Sequence, residues 1–245
     1  MTTGTATAEG AAAGARPRAL VIACGAIAHE LVATLERAGL GNGAGAGPVR
    51  VECLPADFHD TPERIVPAVA AKLDAAEAAG LEPFVAYGDC GTGGRLDALL
   101  EARGVARLPG AHCYAFFAGT ERFDALAADE PGTFWLTDWL ARNFERLVVR
   151  GLGLDRHPEL APLYFGNYAR VVHLAQGPDP DGATARAAAA AADALGLPLE
   201  RETTGLGPFA SALLPALGAR SVIPVLATPP SPQSPARPRA NACPS

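Results

Sequence analysis

Lysine is almost missing from this 245-residue chain: of its 20 basic residues only Lys72 is a lysine. We read that bias as GC-rich coding rather than as a functional choice. With 26 acidic residues the net charge is -6, no basic stripe stands out, and nucleic acid is not expected as a partner. No apolar run approaches the roughly 18 residues that a membrane helix needs, so no membrane is expected either. Residues 1–16 lack the basic and apolar regions of a secretory signal, which predicts a cytoplasmic protein in reducing surroundings. Cysteines paired as CxxC are absent, which argues against a common zinc knot. The GxSxG elbow of serine hydrolases is absent. So are both phosphate fingerprints, GxGxxG and GxxxxGK[ST].

What is present is apolar: 49% of the chain is hydrophobic, enough for a sizeable core. Strand-like and helix-like segments alternate. Ala19–Cys24 is a continuous apolar run, as a strand covered on both faces requires. Helical spacing follows over Ile27–Ala38, then a strand over Val49–Leu54. A helix is expected from Thr61 to about Ala79, with Asp60 or Thr61 as its cap and Pro62 in its first turn. Phe84–Tyr87 and Val105–Leu108 read as strands around a helix at Arg95–Ala102. A helix begins at Cys113. Glu121–Ala128, Trp139–Val149 and Pro158–Phe165 read as helices, with Thr133–Thr137 as a short extended piece. Alternation returns with a strand at Arg170–Ala175, a helix at Ala183–Leu195, a strand at Leu197–Thr203 and a helix at Pro208–Leu217. Val222–Leu226 is either a last strand or part of a tail.

This pattern predicts an α/β fold: a mainly parallel, Rossmann-like sheet or sheets with right-handed crossovers. The expected organisation is a disordered tail (1–16), a first α/β lobe (17–120), a helical insertion (121–168), a second α/β lobe (169–228) and a Pro/Ser-rich disordered tail (229–245). One sheet with a helical cap is the alternative.

Five cysteines are present. Three of them stand where an expected strand gives way to a helix: Cys24 before Gly25, Cys90 within Gly88-Asp89-Cys90-Gly91-Thr92-Gly93-Gly94, and Cys113 after His112. In an open parallel sheet the carboxyl ends of the strands share one edge, where ligands bind. Three thiols brought to one rim would hold zinc or an iron–sulfur cluster, with His112 or His59 as fourth ligand, or would supply a reactive thiolate. The plain alternative is that all three are small buried core residues. Cys53, inside a strand, is expected in the core, and Cys243 in the tail.

The glycines around Cys90 allow a sharp turn, with at least one expected at positive φ. Free amides at the following helix start would hold an anion, or lower the pKa of Cys90. His59 lies on the same rim, with Asp57 and Asp60 to orient its ring. Asn167 and Tyr168, in the cluster Tyr164-Phe165-Gly166-Asn167-Tyr168, are expected either to pack in the core or to line a flat ligand pocket. The expected pocket set is therefore Gly25, Gly88, Gly91, Gly93, His59, Asn167 and Tyr168 around the thiols.

The segments YGDCGTGG, LPGAHCYAFFAG, PGTFWLTDWL, RGLGLDRHPEL and YFGNYARVVHLAQ, with CG near the start, occur here in one order. In this the chain resembles the DUF1638 family, a domain of unknown function, over most of residues 18–217. The resemblance implies a cysteine at each of the three places held here by Cys24, Cys90 and Cys113. Many members carry an H-D-C-type motif where this chain reads His112-Cys113. It also implies an association with corrinoid-dependent methyltransferase systems. That means one-carbon metabolism, with a corrinoid protein or a methyltransferase as partner.

Two further readings stand beside the metal or cluster site. One is a metal-free thiol enzyme with Cys90 or Cys113 as nucleophile. The other is a non-catalytic protein that binds a small anionic metabolite.

Overall fold

The computed structural model describes residues 18–41 and 47–218. The expected tails, the expected strand at Val222–Leu226 and Cys243 lie outside them. The first half supplies strands β1 (Ala19–Cys24), β2 (Val49–Leu54) and β3 (Glu82–Ala86), with helices α1 (Ala28–Arg37), α2 (Ile65–Ala78) and α3 (Arg95–Arg103). The second supplies α4 (Cys113–Ala118), α5 (Thr120–Asp129), β4 (Thr133–Thr137), α6 (Asp138–Phe144), α7 (Ala161–Phe165), β5 (Arg170–Ala175), α8 (Ala183–Leu195), β6 (Leu199–Thr203) and α9 (Gly207–Ala216). The protein is α/β, with two three-stranded sheets, both parallel, in the orders β2-β1-β3 and β4-β5-β6.

Alternation along β1 decides the layering, since successive side chains leave opposite faces. Leu20 and Ile22 pack outward against Ile65, Val69 and Leu73 of α2 and Leu96 of α3. Val21 and Ala23 pack inward, in one core with Phe84 and Ala86 of β3 and with Val172 and Leu174 of β5. Phe117 of α4 and Phe209 of α9 sit between the sheets, with ring centroids 5.4 Å apart. The two sheets therefore share an apolar core. The outer face of the second sheet is closed by α6 and α8 around Leu136 and Val171.

Three expectations change. The stretch 121–168 is not a purely helical insertion, because Thr133–Thr137 is β4, an edge strand of the second sheet. Val105–Leu108 is not a full strand: it adds one parallel bridge, Val85 to Arg107, with backbone bonds from Val85 to Ala106 and from Leu108 to Val85, both 3.0 Å. Thr61 does not cap α2, which starts at Ile65 behind a 3-10 turn over Pro62–Arg64, and its hydroxyl is buried without a partner.

Candidate functional site

Strand order in the first sheet reverses at β1, since the chain steps to β2 on one side and to β3 on the other. The crevice at such a reversal opens at the carboxyl ends of the strands. Cys24 is the last residue of β1, and its sulfur accepts a hydrogen bond from the Ala26 amide at 3.5 Å. Cys90 stands in the loop after β3. Cys113 is the first residue of α4, reached through the bridge at Arg107. All three line one cavity of about 440 Å³. Its far wall comes from the second half of the chain: β4, the start of α6, the π-helical turn Glu145–Val149 and α7.

The loop 88–94 is built for close approach. A Cβ at Gly88 would stand 2.7 Å from the Ala111 carbonyl oxygen. The same contact lets the Cys90 amide donate to that oxygen at 3.1 Å. Thus the two cysteine-bearing loops are held side by side by backbone. Cys90 itself has φ 45°, followed by Gly91 at 83°, Gly93 at 63° and Gly94 at 80°, the left-handed turn expected of this glycine run. Arg107 braces the second loop. Its guanidinium pairs with Asp97 at 2.5 and 3.0 Å and donates to the carbonyls of Leu108 and Gly110, both at 2.8 Å.

The anion cradle expected in this loop is already filled. The Asp89 carboxylate accepts from the amides of Gly93 at 3.1 Å and Gly94 at 2.9 Å, and from the Thr92 hydroxyl. These donors do not serve the Cys90 sulfur. The expected low pKa of Cys90 is accordingly reversed: burial, then the neighbouring Cys24, pushes it up to about 12. Burial also raises Cys24, and it raises Cys113 well above the ordinary thiol range, with Cys90 and Cys24 adding to it. In metal-free protein at neutral pH the three are thiols. Cys90 is expected to react with iodoacetamide at least about a hundredfold more slowly than free cysteine, since only the thiolate attacks. The rate of alkylation against pH measures it, and a rate at or above that of free cysteine at pH 7 refutes it. His112 is lowered, first by burial and then by His59, so its imidazole is neutral at pH 7 and has a free lone pair.

Of the residues expected in the pocket, His112, His59, Gly88 and Tyr168 line it with the three cysteines. Four others do not. Gly25 packs where a Cβ would meet the Leu54 carbonyl oxygen at 3.0 Å, closing β1 onto β2. Gly91 turns toward Pro62, Gly93 has open space around it, and the Asn167 backbone packs on Gly132. Their service is to the chain path. Cys53 is a plain correction: it is exposed, because β2 is the edge strand of its sheet and is only partly covered. Among the described residues no group of three or more His, Cys, Asp or Glu side chains stands at metal-ligand spacing.

Sequence reasoning missed several residues. Tyr87 and Tyr114, next in sequence to the thiol-bearing loops, and Trp135 and Trp139, from the second half of the chain, also line the cavity. Tyr87 precedes the glycine loop and Tyr114 follows Cys113, so adjacency to the cysteines was the available signal. A second polar cluster lies at the carboxyl end of β4 and β5. There His173 Nε2 meets Asp138 Oδ1 at 2.8 Å, with both residues buried. No local pattern marks that pair, whose members are 35 positions apart.

A family model described as "Protein of unknown function (DUF1638)" matches residues 53–213, well over half of the chain. The matched stretch takes in Cys90, His112 and Cys113 and begins after Cys24. No curated protein and no solved structure matches the chain.

Proposed function

The chain belongs to the DUF1638 family, and from that premise we propose that its pocket is a binding site in which Cys24, Cys90 and Cys113 hold zinc or an iron–sulfur cluster. The observation that carries the reading is that three cysteines from three separate segments line the same cavity, with His112 beside them. The donor set fits such a group: thiols suit soft metals and clusters, and His112 offers a neutral imidazole. The side chains are not at ligand spacing as they stand, so binding requires them to turn inward. When bound, such a centre supplies an open coordination position or a redox couple. The chain's own part is to hold the two loops together through Gly88 and Arg107 and to exclude water with the aromatic wall. The setting we propose is corrinoid-linked one-carbon metabolism, beside a corrinoid protein or methyltransferase, and it rests on the family resemblance alone.

The metal-free nucleophile is the weaker reading, because burial keeps Cys90 and Cys113 protonated at neutral pH. The test is metal and sulfide analysis, with a visible spectrum, of protein purified without air. Binding should be close to stoichiometric. Cys24→Ser, Cys90→Ser and Cys113→Ser should each reduce it at least about fivefold, since a metal site is sensitive to loss of one ligand. Cys53→Ser should leave it unchanged. Folded protein that takes up neither zinc nor iron, or triple-serine protein that keeps its metal, overturns the proposal.

A further inference from the structure

The thiols occupy only one side of the cavity, and the other side says what kind of molecule lies against them. No lysine or arginine is among the described residues that line it, and the one formally charged lining side chain is Asp60. A phosphate, sulfonate or carboxylate would enter without a cation to receive it, and the nearby loop amides are held by Asp89. The rest of the lining is largely aromatic. Trp135 stacks on Tyr114 with centroids 6.2 Å apart and planes 27° apart, and Phe123 holds it from another side at 4.8 Å. Phe134, Phe165 and Tyr168 brace one another at 5.4 to 6.0 Å. Rings fixed in this way present flat apolar area at little cost in side-chain entropy. One polar group is left over. The Tyr87 hydroxyl is buried, the residue is 1% exposed and lines the cavity, and it meets no partner stronger than the neighbouring Cys24 thiol, a weak acceptor that leaves its hydrogen bond incomplete. Buried hydroxyls are almost always well paired, so one that lines a cavity with only a weak sulfur neighbour offers its proton to a ligand acceptor.

We propose that the pocket takes a flat, uncharged organic molecule, its body against the aromatic wall and a hydrogen-bond acceptor at the Tyr87 hydroxyl beside the thiols. This rests on the reading that the pocket is the protein's working site, and it holds with or without metal. The cavity of about 440 Å³ has room for such a body, and its lining offers an anion nothing of equal strength. The class fits both a molecule presented to a thiol-bound metal and a metabolite simply held there.

Both tryptophans of the chain line the cavity, so the protein reports on its own occupancy. The probe is Nile red, which is flat, uncharged and carries a carbonyl. It is titrated into full-length protein as purified and after chelation, with tryptophan quenching and dye emission as readouts. We expect a single saturable isotherm with blue-shifted emission. Tyr87→Phe should weaken binding about five- to tenfold, the worth of one hydrogen bond, while circular dichroism stays unchanged. Trp135→Ala should weaken it more than about tenfold. The anionic fluorophore pyrene-1-sulfonate, whose fused rings are equally flat, should bind at least about tenfold more weakly. Equal affinity for the anionic fluorophore, or unchanged Nile red affinity in Tyr87→Phe, overturns the inference. Metal is measured in the same samples. Protein that binds Nile red in the Tyr87-dependent way but never holds metal overturns the metal reading and keeps this one. Metal-loaded protein that binds no Nile red does the reverse.

Discussion

Replacing Asp138 with alanine is expected to lower the melting temperature by roughly 10 °C, the equivalent of about 3–5 kcal/mol for breaking one partner out of a buried pair. Asp138 is 5% exposed and His173 2%. One carboxylate oxygen meets His173 Nε2 at 2.8 Å, and the other accepts from the amides of Gln176 at 3.1 Å and Gly177 at 2.8 Å. The Asp138 amide donates in turn to Gln176 Oε1 at 2.8 Å. One side chain therefore ties the start of α6 to the turn after β5. Without it the His173 imidazole and the Gln176 amide are buried without that partner, each at its own cost.

The pH dependence follows from the same contacts. Burial alone would raise the Asp138 pKa, but the His173 bond and the Gly177 and Gln176 amides hold it below the ordinary value. A carboxyl whose folded pKa is depressed contributes stability that is present above its unfolded pKa, near 3.9. That stability is lost as pH falls through the folded value. Wild-type protein should thus lose it below about pH 4, and Asp138→Asn should show a flatter melting curve against pH in that window. A fall of less than about 3 °C for the alanine variant at pH 7 would show that the pair is not a keystone. Trp139, the next residue, lines the pocket, so the same variant should also alter tryptophan emission.

Gly88→Val should damage the site itself, costing about 3 kcal/mol and most of the bound metal or probe, as overpacking against rigid neighbours does. The added Cβ would stand 2.7 Å from the Ala111 carbonyl oxygen and 3.1 Å from the Ala111 carbonyl carbon and His112 Cα. All three are backbone atoms, so no side chain can swing aside. The loops carrying Cys90 and Cys113 must part, and the bond from the Cys90 amide to Ala111 breaks with them. Gly93→Ala is the matched comparison. Its φ is 63° but nothing lies within 4 Å of the new Cβ, so it should cost only about 1–2 kcal/mol and keep binding. Urea unfolding and metal analysis of the two variants decide the matter. Equal losses in both would mean that loop strain, not the Gly88 contact, governs the site.

The chain's local patterns were sufficient for much of this architecture. Ala19–Cys24, Val49–Leu54 and Arg170–Ala175 are strands over the residues that the sequence predicts, although β2 lies at a sheet edge. Where a strand is covered on both faces, as β1 and β5 are, a nearly unbroken apolar run is its signature. Helix α8 likewise runs over Ala183–Leu195, bounded by Gly182 and Gly196, both in the left-handed region. The α/β class, Cys24 at the end of β1 and Cys90 in the loop after β3 come from the same local signals, whereas the strand expected before Cys113 is only a single bridge.

What only the tertiary structure decided is non-local. Thr133–Thr137 has strand propensity but too little length to declare its partner, and it becomes an edge of the second sheet by pairing with β5. Cys53 is exposed because its strand has a neighbour on one side only, which no periodicity within the strand can reveal. The Cys90 thiol is raised rather than lowered because Asp89, its own neighbour, takes the loop amides and because burial costs the thiolate more than distant dipoles return. The pocket owes its aromatic wall to the second half of the chain, folded against the first through Phe117 and Phe209. Local pattern dictates strands, helices and turns, since propensity and periodicity act over a few residues. Which side chains meet across the core, and in what dielectric, is settled only when the two sheets pack.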